Sequence, residues 1–314
     1  METIGSPWLW AGFLGFVVAM LALDLGVFHR KAHAVSVREA AIWSGVWIAL
    51  AALFAAGLWH FWGGEQALEF ATGYVIEKAL SIDNLFVFVA VFSTFAIPAA
   101  LQHRVLFWGI LGALAMRAIF IVAGGALLAR FHWVMYLFGA ILLFTAAKLF
   151  VQREEKPEPE KNPVTRLFRR FVPSTDGLRG AKFVVRENGR RLATPLLLVL
   201  VLVEVTDLVF AVDSIPAVFA VTRDPFLVFT SNIFAILGLR SLYFLLAGVM
   251  DRFHYLKPAL ALVLAFVGTK MVVVDFFHVP IALSLGVIAT LIGGAVVLSF
   301  LRPRKAPVLP AAET

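Results

Sequence analysis

The sequence predicts an all-α polytopic membrane protein with about nine transmembrane helices, N-terminus out and C-terminus in, built around two inverted three-helix repeats. Three observations predict it: an extreme composition, nine apolar runs of spanning length, and acidic motifs that recur in register in the two halves. Of the 314 residues, 61% are hydrophobic and 15% charged, and mean hydropathy is +0.91. Soluble domains are closer to half apolar and a quarter charged. A chain with so little polar surface has lipid as its solvent. There is no cysteine, which excludes disulfides, thiolate metal sites and cysteine nucleophiles.

A helix needs roughly 20 apolar residues to cross a bilayer. The runs that meet this are 8–28, 40–62, 68–92, 103–125, 131–151, 194–220, 226–249, 257–276 and 280–301. Lys and Arg set the orientation. With the N-terminus outside, the inner loops hold Arg30, Lys31, Arg38, Arg104, every Lys and Arg of 153–191, Arg252, Lys257, Arg302, Arg304 and Lys305. The outer loops hold only Arg130 and Arg223. This cytoplasmic bias accounts for the formal charge of +7, and no aromatic-interleaved basic motif marks a nucleic-acid partner. Three parts follow: a membrane half over 1–152, a charged cytoplasmic linker over 153–193, and a second membrane half over 194–314. The Lys-Pro-Glu-Pro-Glu stretch at 156–160 reads as extended and solvated.

The halves resemble each other. Glu77 and Asp83-Asn84 in span three have the spacing of Asp207 and Asp213-Ser214 in span six. Arg117 answers Arg240, Arg130-Phe131-His132-Trp133 answers Arg252-Phe253-His254-Tyr255, and Lys148 answers Lys270. Each copy has three spans, an odd number, so the second enters from the opposite side. Such inverted repeats place substrate sites near the midplane of many secondary transporters.

Asp24, Glu77, Asp83, Glu204, Asp207 and Asp213 fall inside spans. A central Asp costs about 2.5–3.5 kcal/mol on insertion scales, so these groups face one another, a cation or water. Glu204 and Asp207 share a helix face. Asp207 and Asp213, like Glu77 and Asp83, lie about 120° apart on a regular helix. Breaks near Ser81 and Thr206 would turn each pair inward, so spans three and six are expected to be bent or unwound. Oxygen donors, with Asn84 and Asn232 adding amide oxygens, suit hard cations such as Mn²⁺, Mg²⁺ or Ca²⁺. Lys78, Arg117 and Arg240 are the internal counter-charges, and they leave open a second reading in which the acids are structural ion pairs. Lys148 and Lys270 reach towards span ends, Asp275 reads as interfacial, and His132 and His254 read as interfacial or repeat contacts. No GxSxG, HExxH or P-loop motif is present, so no enzyme is expected.

Five stretches resemble one family: LDLGVF at 23–28, EKALSIDNLFVF at 77–88, QHRVLFWGI at 102–110, DLVFAVDSIPA at 207–217 and TSNIFAILGLRSLY at 230–243. They are similar to the TerC family of integral membrane proteins, named for tellurium resistance and grouped with LysE-like exporters. The resemblance implies a bacterial inner-membrane exporter, with Mn²⁺ as cargo and no resident cofactor. Glu77, Asp83, Asn84, Asp207 and Asp213 are the motif positions it carries over. Tellurite is an anion, which a carboxylate-lined site would repel.

Overall fold

A computed structural model describes residues 3–23, 36–151, 162–187, 189–247, 255–277 and 279–302, the side chain of Asp83 excepted. The expected site residue Asp24, the Pro-rich stretch 156–160 and the Arg252-Phe253-His254 motif lie outside the described residues.

Each predicted apolar run contains a helix among its described residues: α1 (Pro7–Leu23), α2 (Val37–Trp62), α3 (Gly64–Thr94), α4 (Ala99–Arg130), α5 (Val134–Val151), α7 (Pro195–Phe219), α8 (Pro225–Leu237) with α9 (Leu239–Leu246), α10 (Leu256–Val272) and α11 (Ile281–Leu301). Among the described residues six segments are long and apolar enough to cross a membrane: α2, α4, α5, α7, Pro225–Leu246 and α11. The protein is therefore an all-α polytopic membrane protein. Among the other three runs, α1 and α10 are each 17 residues long, while Glu65, Glu69, Glu77, Lys78 and Asp83 make α3 polar.

Local chemistry sets the ends. Ser36 accepts from the Glu39 amide at 3.2 Å in a Ser-x-x-Glu start. Gly63 turns the chain between α2 and α3 at φ +107, a conformation that favours glycine. At the end of α3 the Ala96 amide bonds Ser93 O at 3.1 Å and the Ile97 amide bonds Phe92 O at 2.9 Å. That pattern closes a helix through a left-handed residue, here Ala96 at φ +46, with Pro98 ensuring the stop.

The expected breaks in spans three and six do not occur. α3 and α7 are each one continuous helix. A break lies instead at Gly238, between α8 and α9. Lys78 Nζ sits against it and donates to Ala235 O at 3.2 Å. A Cβ on residue 238 would lie 2.7 Å from that ammonium, so glycine makes the approach possible. The carbonyl end of α8 carries partial negative charge, which the lysine complements.

Cross-contacts fix helix directions. Gly73 meets Ser231, Glu77 meets Asn232 and Lys78 meets Ala235, so α3 and α8 run parallel. Gly109 meets Val203, Arg117 meets Asp207 and Gly124 meets Phe219, so α4 and α7 are also parallel. α5 and α10 are antiparallel: Gly139 faces Met271 and Val272, and Gly268 faces Leu142 and Leu143. A Cβ on either glycine would come within 3.0 Å of the other's carbonyl oxygen.

The core has two apolar ends. One gathers Phe13, Phe70, Phe219, Phe226 and Phe234, with Phe54 and Phe70 ring centroids 4.9 Å apart. The other gathers Leu85, Phe92, Val105, Leu196, Leu239 and Tyr243. Along α3, α4 and α7 the switch from one cluster to the other passes Glu77, Arg117 and Asp207 respectively. A charged layer thus separates the two apolar ends.

The second part of the loop between the halves is folded. α6 (Pro163–Phe171) starts on an Asn162 cap whose side chain accepts from Val164 N at 2.9 Å. Strands β1 (Val184–Glu187) and β2 (Arg190–Ala193) form an antiparallel hairpin. Val164, Phe168, Leu178 and Phe183 pack on the second apolar cluster, and Arg104 of α4 lies over the Phe183 ring at 5.3 Å. Only 162–193 can be compared with the expected solvated linker, and this part is docked on the bundle.

Candidate functional site

The charged layer centres on Arg117, 1% exposed, with Glu77 at 0% and Asp207 at 4%. Arg117 Nη1 donates to Glu77 Oε1, to Asn232 Oδ1 at 2.7 Å and to Ser214 Oγ at 3.2 Å. Nη2 donates to Asp207 Oδ1 at 3.2 Å. The Asn232 amide returns a bond to Glu77 Oε2 at 3.1 Å. Four helices thus meet in one network: α3, α4, α7 and α8.

The donors and acceptors do not balance. Nη1 has two hydrogens for three oxygens, while Arg117 Nε and Asp207 Oδ2 have no partner among the described residues. With both acids ionised, two carboxylates face one guanidinium, an excess of one negative charge in a low-dielectric layer. Tyr74 OH, Ser81 Oγ and Asn84 Oδ1 are the other buried side-chain atoms without a partner among the described residues. All three lie on α3, and with Glu77 they fall within an arc of about 80° at 100° per residue. The result is a polar stripe along one face of α3, adjoining Arg117 at Glu77.

The remaining candidates separate. Glu204 shares the α4-facing side of α7 with Asp207, and a Cβ on Gly112 would collide with its carboxylate. Asp213 points instead to α5, where Thr145 Oγ1 donates to it at 2.7 Å. Because α7 stays helical, Asp207 and Asp213 keep their angular separation and serve different neighbours. Lys78 caps α8 rather than joining the network as a counter-charge. Arg240 Nη1 lies 3.2 Å from His103 Nε2, in the half of the bundle beyond the break. Among the described residues no three His, Asp or Glu side chains converge as a preformed metal cage. The sequence reading missed Tyr74 and Thr145. For Tyr74 the available signal was the 74, 77, 81, 84 spacing; for Thr145 there was none.

Residues 62–306 match the integral membrane protein TerC family. The chain belongs to the TerC family. Its relatives include an uncharacterized membrane protein of Myxococcus xanthus, 59% identical, with 99% of this chain and 98% of the relative covered. A protein of Escherichia coli K12, provisionally named membrane-bound redox modulator Alx, is 50% identical over 96% of this chain and 95% of its own length. An uncharacterized membrane protein of Rickettsia felis is 41% identical, with 93% and 97% covered. No solved structure matches the chain. The Glu77, Arg117, Asp207 and Asn232 network of this TerC protein lies wholly within the family match.

At the end of the bundle where α5 begins, Asp275 lies beyond the last residue of α10. It accepts from the Tyr136 hydroxyl and is 2.9 Å from His132 Nε2. The Tyr136 bond, then His132, holds its carboxyl below the usual carboxylate range. A group depressed in the fold stabilises above its unfolded value, about 3.9 for Asp, and loses that contribution as pH falls through the folded value. Acidification below about pH 4 is therefore expected to lower the melting temperature of the wild type more than that of Asp275→Asn. Parallel pH profiles for the two would contradict the assignment.

Proposed function

We propose that this TerC protein is an inner-membrane exporter of a hard divalent cation, with Mn²⁺ as the cargo. One observation carries the reading: the buried layer holds more oxygen than its single guanidinium satisfies. Among the described residues Asp207 Oδ2 has no donor, and three further oxygens without partners flank Glu77 along α3. Carboxylate, amide and hydroxyl oxygens without sulfur are the donor set of hard cations.

Arg117 acts as the resident cation. It holds Glu77 and Asp207 apart and ordered when no cargo is present. An arriving divalent ion competes for the same oxygens, with Asn232, Ser214 and Asn84 as neutral ligands. Glu204, on the same face of α7, and Asp83 are further acidic ligands, with Asp213 serving the α5 side.

The nine-span, N-out topology with inverted repeats belongs to this proposal. The parallel α3–α8 and α4–α7 pairs and the antiparallel α5–α10 pair support it. Each is the relation that exchanging spans three to five with spans six to eight would produce.

A second reading has two observations in its favour. Arg117 already neutralises much of the acidic charge, and no preformed cage exists among the described residues. The protein would then be a membrane scaffold or accessory protein of a tellurium or stress resistance system, with Glu77, Arg117 and Asp207 as a structural ion pair. A thiol-based redox role is not carried by this chain itself, which has no cysteine. Whole-cell metal content during manganese loading separates the readings. Cells with the protein are expected to hold less manganese than cells lacking it, and cells carrying Asp207→Asn are expected to resemble the latter. Equal manganese in all three would favour the scaffold.

A further inference from the structure

The folded part of the loop between the halves carries two features that its packing does not explain. α6 buries Val164 and Phe168 against the bundle, but leaves Leu167 at 59% exposure and Phe171 at 70%. These two are i, i+4 neighbours on one face. Arg166, Arg169 and Arg170 are exposed around them, and the Arg170 guanidinium lies over the Phe171 ring at 5.6 Å. A short helix with outward apolar residues rimmed by arginines is the pattern of an interfacial segment, its apolar side at the acyl boundary and its cations among headgroups.

The hairpin adds an independent observation. In its register Arg186 stands directly opposite Arg191, and both are exposed. Like charges facing each other across a strand pair destabilise it unless an anion lies nearby. Residues 162–193 contain eight Lys and Arg against two Asp and Glu. One of the two acids is already taken, since Glu187 pairs with Arg179 at 2.7 Å. The segment is tied to itself and to the bundle: the Thr175 amide bonds Ala193 O and the Ala193 amide bonds Pro173 O, each at 2.9 Å. Its cations are thus displayed on a fixed base at one end of the helices.

We propose that α6 and the β1–β2 hairpin form a docking surface for the anionic phospholipid headgroups of the leaflet bordering this end of the bundle. Leu167 and Phe171 enter the acyl boundary, and Arg166, Arg169 and Arg170 take the phosphates. Charge complementarity selects a lipid surface over a soluble acidic protein, because the exposed apolar pair needs a nonpolar phase beside the anions. The surface would anchor the loop that joins the two halves and oppose relative movement at that end.

The absence of cysteine makes the test direct. Leu167→Cys in the full chain supplies a single thiol for an environment-sensitive fluorophore, read in nanodiscs of phosphatidylcholine alone or with phosphatidylglycerol. In the anionic discs the probe is expected to shift to the blue, to be quenched by acyl-chain spin labels, and to lose both signals as salt is raised. Arg166→Gln, Arg169→Gln and Arg170→Gln should each weaken the anionic preference about fivefold. The salt dependence, read on the unchanged arginines, keeps the test valid if a variant folds poorly. Equal spectra in the two lipids, or quenching by aqueous iodide in both, would overturn the proposal and leave the face to solvent or a soluble partner.

Discussion

Replacement of Arg117 by Met is expected to cost the protein about 3–5 kcal/mol of stability, the usual loss when one member of a buried ion pair is removed. Met has similar length and apolar bulk, so the loss does not come from a cavity. Glu77 would keep the Asn232 amide but lose its charged donor, and so would Asp207. The layer would hold two uncompensated carboxylates between two apolar clusters. The measurement is the melting profile of detergent-solubilised protein followed by loss of the monodisperse species. Restoring neutrality by combining Glu77→Gln and Asp207→Asn with Arg117→Met should recover most of the loss. A single Arg117→Met variant that melts like the wild type would contradict the description of the layer.

The second large effect separates stability from transport. Ser81 Oγ and Asn84 Oδ1 are buried without partners among the described residues, and such groups carry a desolvation cost of about 1–3 kcal/mol. Ser81→Ala removes its oxygen with little change of shape, so it should leave stability unchanged or raise it. If these oxygens serve a passing cation, Ser81→Ala combined with Asn84→Ala should nevertheless abolish manganese efflux in cells. Losing efflux while the Ser81→Ala protein melts no earlier than the wild type is the signature of a group kept for function. Destabilisation by Ser81→Ala would show instead that the hydroxyl is structurally bonded.

The helices were legible because the apolar runs are long and bounded by clear punctuation: Ser36, Gly63, Pro98, Pro195, Pro225 and Pro280. The charges of the central layer were legible for the same reason, since ionisable residues stand out in apolar runs. Their pairing was only partly legible. Arg117 joins Glu77 and Asp207 as a counter-charge should, but Asp213 bonds Thr145 because a continuous α7 turns it towards α5. The position of the helix break was not legible. It depends on Lys78 approaching Gly238 from another helix, a tertiary contact that no local propensity announces. The folded loop left cues that its charge obscured: Asn162-Pro163 as a helix start and Gly189, at φ +76, between the two strands.

The central claim is that the Glu77, Arg117 and Asp207 layer lies on the path of a hard divalent cation. The most direct measurement is Mn²⁺ flux into proteoliposomes holding a manganese-quenched dye, comparing wild type with Glu77→Gln at equal incorporation. Gln keeps the shape and the hydrogen bond to Arg117 and removes one charge. The expected result is protein-dependent quenching for the wild type and its loss for Glu77→Gln. Equal quenching by the two proteins, or none above empty vesicles for the wild type, would contradict it.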